Sequence, residues 1–484
     1  MIRRTSRFVA AFAAVALVIA ACGDDDDDDT AGTDAPEGTE APAGTEAPEG
    51  TEAPGGTEAP EGTEAPEGTE APEDTGEDDG GEAWTVVTDD CVDPDRVSEP
   101  IEGTINIGSS GPLSGGPASS AFAPVIAGLE AYIDYANEND LVPGYELALT
   151  VGDDQYDPAL TPGVISDQLD AGVHLFTAMI GSPNNLAVRD TLNEECVPQL
   201  LALSGLPDWG EPADYPWTTG GLLPYSVESA AYAEHISTEF PDGATVALFY
   251  TNNDFGQVYR ESFTELAGEF NLEIVDEQTI EAPETAPPSG QLSSIAGNAP
   301  DVIMAAPLGA QCPTFLNELA NQKAAVSGWE PRVYITNTCS SPLILAVAGE
   351  NADGIYTSQN QDLVDVSAPA NAELPGVALY LAEMEARGIS DTVPTSAAGW
   401  NAGETTVEIL RQAAESPDGL TQASIINTAR NFEFTTSMTQ EGALLRMSGE
   451  EDPFLVEDVQ IRQYDVATTT FEDVGELITS FRSS

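Results

Sequence analysis

Beyond residue 100 the apolar positions switch repeatedly between two periods. Short runs rich in β-branched and aromatic residues at 104–109, 146–152, 174–180, 199–203, 244–251, 301–306 and 332–336 predict strands. Between them lie amphipathic stretches of helical length. Residues 121–139 carry Phe122, Val125, Ile126, Leu129, Tyr132 and Ile133 at helical spacing, and 160–171, 185–196, 226–240, 256–270 and 313–326 behave likewise. Strand–helix alternation predicts parallel sheets covered on both faces. Roughly 385 residues exceed one comfortable core, so two α/β lobes are expected. In such sheets ligands sit beyond the carboxyl ends of the strands, at the loops that lead into helices. Three loops there draw attention: 111–115 after the first strand, 181–184 after the third and 203–205 after the fourth. Each places small hydroxyl or backbone donors near a strand end. Free N–H groups and the positive end of a helix favour an anionic group such as a carboxylate.

The first hundred residues follow neither period. Arg3, Arg4 and Arg7 precede an apolar run over 8–21, which ends in Ala20-Ala21-Cys22. That run is short for a bilayer span but right for the apolar core of a secretory signal. The cleavage region resembles the bacterial lipobox, which implies a signal peptide over 1–21 and lipidation of Cys22. Asp24 to Asp29 follow, and then a hexapeptide close to Gly-Thr-Glu-Ala-Pro-Glu recurs seven times over 32–73. The repeat has no apolar side chain larger than Ala and cannot build a core, so a disordered acidic spacer is expected over 22–100. About 75 flexible residues span ~50 Å or more, enough to hold a folded body clear of a membrane.

Charge narrows the function classes further. The chain has 484 residues, 84 acidic and 14 basic, for a net charge of -70. Residues 23–90 hold 25 acidic and no basic groups, and residues 91–484 still hold 59 against 11. A polyanionic partner such as nucleic acid would be repelled. Lys323 is the one lysine, and His174 and His235 are the two histidines. No Gly-x-Ser-x-Gly elbow, phosphate-binding loop or His-Glu-x-x-His occurs. Neither histidine has another histidine or a cysteine three or four residues away. No nucleophile–base pair, cofactor or metal site is proposed by this pattern, and a binding protein rather than an enzyme is expected.

The order of elements now resembles a known family. Residues 105–108 and 111–115 are similar to the opening of the type I periplasmic binding proteins, in particular the leucine/isoleucine/valine-binding family, the substrate receptors of ABC importers. Residues 153–158, 178–185, 197–204, 253–256, 300–303, 353–356 and 397–402 continue the match. The resemblance covers about 103–475 and rests on ordered spacing rather than on one motif. It implies two doubly wound parallel-sheet α/β lobes joined by a three-segment hinge. Lobe one would take 101–222 and 359–433, and lobe two 223–358 and 434–484. The loops at Ser182 to Asn184 and Ser204 to Leu206, with Gly205 between, would hold a ligand carboxylate. Ser114, Phe255, Gln311, Asn337, Thr338 and Trp400 would complete the ligand site. Amino-acid receptors of the family often place an acid in the loop matching 337–340, to meet the ligand ammonium. Here that loop reads Asn337-Thr338-Cys339-Ser340. The expected ligand is therefore a branched-chain amino acid, amide, urea or small carboxylate, with selectivity moved away from the free ammonium. The implied protein is a monomeric, lipid-anchored receptor on the extracellular face, partnered by an ABC permease and ATPase. A sensor lipoprotein for a signalling receptor and a secreted α/β hydrolase are the alternatives.

Four cysteines remain after Cys22, and export favours disulfides. Cys312 lies just past the strand expected at 301–306, and Cys339 just past that at 332–336. A β-α-β crossover sets such strands side by side, ~4.8 Å apart, so both sulfurs meet at one sheet edge. Of the three possible pairings this favours Cys312–Cys339, leaving Cys91–Cys196.

Overall fold

A computed structural model describes residues 83–359, 361 and 363–482. The expected signal, Cys22 and the hexapeptide stretch lie outside them. Among the described residues no helix is long and apolar enough to cross a membrane.

The first half builds strands β1 (Thr104–Gly111), β2 (Glu146–Asp153), β3 (Leu175–Thr177), β4 (Gln199–Ala202) and β5 (Thr218–Gly220). They form one parallel sheet in the order β2-β1-β3-β4-β5. Helices α1 (Gly116–Glu138), α2 (Thr161–Asp170) and α3 (Ser182–Glu194) connect the first four strands. The second half begins with α4 (Tyr225–Glu239) and builds β6 (Ala244–Thr251), β7 (Leu272–Ile280), β8 (Val302–Ala306), β9 (Arg332–Ile335) and β10 (Tyr356–Ser358). Helices α5 (Asp254–Ala267), α6 (Ser289–Asn298), α7 (Gln311–Ala325) and the short α8 (Pro342–Leu345) alternate with these strands. The chain then returns to the first lobe through α9 (Pro375–Arg387), α10 (Ala397–Ala414), α11 (Gln422–Arg430) and the ribbon β11 (Glu433–Phe434) and β12 (Leu445–Arg446). It ends in β13 (Val459–Asp465) and β14 (Thr470–Ile478), antiparallel additions to the second sheet, whose order is β14-β13-β10-β9-β8-β6-β7. The chain therefore crosses between lobes three times.

Central strands are the legible ones because both faces are covered. All of β8 and all but Thr245 of β6 are buried, which gives continuous apolar runs. At the edge, β7 interrupts its apolar residues with Glu273, Asp276 and Glu277. Charged side chains keep such an edge from pairing with another chain, and they also hide it from a periodicity reading. The strand expected over 174–180 shortens to β3, with Ile180 in an isolated bridge to Leu203.

Both expected disulfides form, Cys91–Cys196 with an S–S distance of 1.94 Å and Cys312–Cys339 with 2.06 Å. The spacer expected over 22–100 is folded at its end. Trp84 and Asn431 exchange hydrogen bonds of 2.9 and 2.8 Å, Val86 N donates to Asn427 Oδ1 at 2.7 Å, and Val97 is fully buried. An aromatic, a β-branched pair and a cysteine supply apolar contacts that the hexapeptides lack.

The first lobe is fastened by the crossing of α1 and α10. Gly128 and Gly399 stand where the two backbones touch. A Cβ on Gly399 would lie 1.7 Å from the Val125 carbonyl oxygen, and one on Gly128 would lie 1.9 Å from that of Ser396. The contact brings Trp400 edge-on to Tyr132, with ring centroids 4.8 Å apart. Gly399→Ala is expected to destabilise the protein by about 1–3 kcal/mol or more, because neither backbone can yield to the added methyl. Gly290→Ala, on α6 with open space around it, should be neutral or slightly stabilising by helix propensity. Denaturant titration of both variants decides the matter, and equal stability for the two would refute the close-contact account.

Candidate functional site

The carboxyl ends of both sheets open onto one cavity of about 150 Å³. Lobe one contributes Phe122 and Val125 from α1, Ile180 to Ser182 from the turn into α3, and Leu203. Lobe two contributes Tyr225, Phe255, Leu308, Asn337, Thr338 and, at the end of β10, Ser358, and the crossing after β10 contributes Gln359. Most of the wall is hydrocarbon.

Its polar groups fall into two sets. At the lobe-one side Ser182 and Ser204 share a hydroxyl–hydroxyl bond of 2.8 Å. The Tyr225 phenol completes a hydroxyl cluster with these two serines, and burial pushes it up to about 12. Backbone places it there, since Tyr225 N donates to the Gly205 carbonyl at 2.7 Å. On the other side is the 3₁₀ turn Asn337–Cys339 after β9. Thr336 starts that turn, accepting from Thr338 N through its hydroxyl at 3.2 Å. Cys339 pins it to α7 through Cys312.

Beneath these sets sits Glu228 on α4, fully buried. Its Oε1 accepts from Tyr232 Oη at 2.6 Å, Ser358 Oγ at 2.7 Å and Asn337 N at 2.9 Å, and its Oε2 accepts from the Tyr259 hydroxyl. Burial raises its pKa above the ordinary 4.5, although all four donors favour the charged form. Two more charged residues line the cavity. Asp365 accepts from Ser367 N and Oγ at 2.9 and 2.5 Å, and from Phe471 N at 3.0 Å. Arg462 donates to Asp473, the Leu363 carbonyl and Gln440 at 2.9, 3.1 and 3.2 Å. Both are hydrogen-bonded within the protein, and the other polar groups of the wall are neutral hydroxyls and amides.

Of the sequence-predicted site residues, Ser182, Phe255, Asn337 and Thr338 line the cavity. Ser204 and Gly205 stand one layer behind, supporting Ser182 and Tyr225. The others lie elsewhere. Ser114 is exposed and donates to Asp153 at 2.5 Å. Asn184 is buried, donating to Thr161 Oγ1 at 2.9 Å. Gln311 is a strap whose amide reaches the carbonyls of Glu281, Ala282 and Glu284 at 2.9–3.2 Å. Trp400 is core, packed among Tyr132, Tyr135 and Tyr380. Sequence reasoning missed Tyr225, Glu228 and Gln359. The histidines are structural: His174 Nδ1 accepts from Asn106 N at 2.9 Å, and His235 Nδ1 meets Tyr334 Oη at 2.7 Å. Among the described residues no cluster of three or more His, Cys, Asp or Glu is placed to hold a metal.

Because Glu228 has a raised pKa when folded, the native state keeps its proton to higher pH than the unfolded chain does. Its contribution is complete below the unfolded value and is lost as pH rises through the folded one. Glu228→Gln removes that dependence. Melting curves of both proteins from pH 4 to 8 should show the wild-type advantage largest in acid and shrinking as pH rises. A gap that stays constant or widens would contradict the assignment.

A family model described as a periplasmic binding protein matches residues 104–466. Several solved structures share the fold. One is a branched-chain amino acid ABC transporter protein from Thermus thermophilus with bound valine, 22% identical, covering 78% of this chain and 97% of that one at a TM-score of 0.68. Another is a fatty acid ABC transporter substrate-binding protein from Thermomonospora curvata, 18% identical, covering 78% and 95% at 0.65. A third is an R. palustris ABC transporter solute-binding protein in complex with benzoate, 15% identical, covering 77% and 96% at 0.64. At these identities the likeness is one of fold. A search of curated proteins finds no match. With its two α/β lobes, three crossings and a family match that spans both sheets, the chain belongs to the periplasmic binding proteins and has their type I fold.

Proposed function

We propose that this protein is an extracellular, lipid-anchored solute receptor. It captures a small molecule between its lobes and hands it to the permease and ATPase of an ABC importer. Lobe one takes 101–222 and runs from 359 through the β11–β12 ribbon, beyond the expected boundary at 433; lobe two takes 223–358 and the strands β13 and β14. The signal over 1–21 directs export, Cys22 carries the lipid, and the acidic spacer gives the body reach. The observation that carries this reading is the cavity of about 150 Å³ between the strand ends of two separate sheets. A site built from both lobes couples ligand capture to lobe closure, because a ligand that touches both sides favours the closed form over the open one.

The ligand's size and character follow from the walls. Phe122, Val125, Ile180, Leu203 and Phe255 favour a compact hydrocarbon body. The relatives described above hold valine or benzoate, or serve fatty acid transport, and those ligands share an apolar body with a carboxylate. For this chain the Ser182 and Tyr225 hydroxyls are the donors offered to an acceptor on the ligand. Neither has an imidazole beside it to draw off a proton, which favours capture over hydrolysis.

A thermal-shift screen of amino acids, amides, ureas and small carboxylates identifies the ligand. Ser182→Ala should then weaken calorimetric affinity by about 1–3 kcal/mol, the range for leaving a buried acceptor unpaired. Unchanged affinity in Ser182→Ala and Tyr225→Phe alike would remove the hydroxyl cluster from the site. Metabolic labelling with a fatty acid should mark the wild type and not Cys22→Ala, and equal labelling would refute the anchor.

A further inference from the structure

Two side chains at the cavity are left with all their polar atoms unpaired. Asn337 and Gln359 line it, are 2% and 3% exposed, and have both oxygen and nitrogen of each amide buried without a protein partner. Buried amides without partners are rare in native proteins, because their desolvation is uncompensated. The two are also neighbours by construction. Tyr334 of β9 pairs with Tyr356 of β10, so Asn337 and Gln359 each follow three residues beyond that register. The backbone of Asn337 and the side chain of Ser358, next to Gln359, meet on the same Glu228 oxygen at 2.9 and 2.7 Å.

We infer that Asn337 and Gln359 form an amide pair that reads an uncharged carboxamide head group, on a ligand with a compact apolar body. The inference rests on the cavity being the ligand site. A primary amide offers a donor and an acceptor side by side. A carboxylate would satisfy the two NH₂ groups but set its lone pairs against two carbonyl oxygens. An ammonium would satisfy the oxygens and leave both NH₂ groups unpaired. A carboxamide carries both functions and matches both partners. Size sets the body: a cavity of about 150 Å³ accommodates a single aromatic ring or its aliphatic equivalent.

The test uses the full chain in detergent and matched amide, acid and amine sets on two bodies, with valine beside them. The first set is benzamide, benzoate and benzylamine; the second is isovaleramide, isovalerate and isopentylamine. In calorimetry the amide of at least one set should bind ten times more tightly than its acid and its amine. Asn337→Leu and Gln359→Met should each erase that preference while leaving the ligand-free melting temperature equal or higher, because each removes unpaired buried groups. That combination separates recognition from a structural role, which would lower the melting temperature instead. An acid, an amine or valine binding as tightly as the amides overturns the carboxamide assignment and leaves the cavity as the ligand site. Amide preference unchanged in both variants overturns the role of the pair. No binding by any of the seven compounds at millimolar concentration overturns the inference together with the reading of the cavity.

Discussion

The cavity depends on one buried carboxyl group. Glu228 has no cation against it; four neutral donors from four different elements satisfy it instead. Tyr232 belongs to its own helix, Tyr259 to α5, Asn337 to the turn after β9 and Ser358 to β10. A buried carboxyl is costly unless its lone pairs are met, so the fold must bring those donors together before the group can be enclosed. The result is a fixed relation between the first interlobe crossing, which leads into α4, and the second, which leaves β10. Residues that line the cavity hang from this node, directly for Asn337 and Ser358 and through the chain for Gln359. The hydroxyl cluster opposite is held by a separate device, the Gly205 carbonyl bond to Tyr225.

Much of this was legible along the chain and some of it was not, for reasons that differ by residue. Strands buried on both faces, such as β6 and β8, announce themselves as apolar runs. The Cys312–Cys339 pairing was legible because parallel neighbours β8 and β9 set equivalent loop positions side by side. Short strands such as β5 and β10, three residues each, carry too few positions for a period. Glu228 reads along the sequence as an ordinary acid in the first turn of a helix. Its role emerges from Tyr259, Asn337 and Ser358, which lie 31, 109 and 130 residues away. Ser114, Asn184 and Gln311 were sensible candidates by residue type and loop position. Their side chains turn to local duties instead, bracing Asp153, Thr161 and the 281–284 loop.

The acidic balance of the chain leaves few basic groups for its cavity. Scarce basic groups are committed to nearby acids or carbonyls. Arg189 pairs with Glu211 and Asp208 at 3.0 and 3.7 Å, Arg411 with Glu408 at 2.6 Å, and Arg462 with Asp473 at 2.9 Å. Of these, Arg462 alone lines the cavity. Surface carboxylates act over roughly a Debye length of 8 Å in physiological salt, and the cavity groups act at contact.

The same economy governs how residues 84–96 join the body. Arg430 is buried at the end of α11, and burial lowers its pKa to about 9. The Tyr215 and Thr218 carbonyls accept from it, and the Trp84 ring lies 5.7 Å away. Trp84 and Val86 are hydrogen-bonded to Asn431 and Asn427, Cys91 to Cys196 by disulfide, and Arg96 Nη2 reaches the Glu195 carbonyl at 2.5 Å. All of these partners belong to the layers around the first sheet. The second lobe is joined to this one by the three crossings, so a change in the angle between lobes strains none of these bonds.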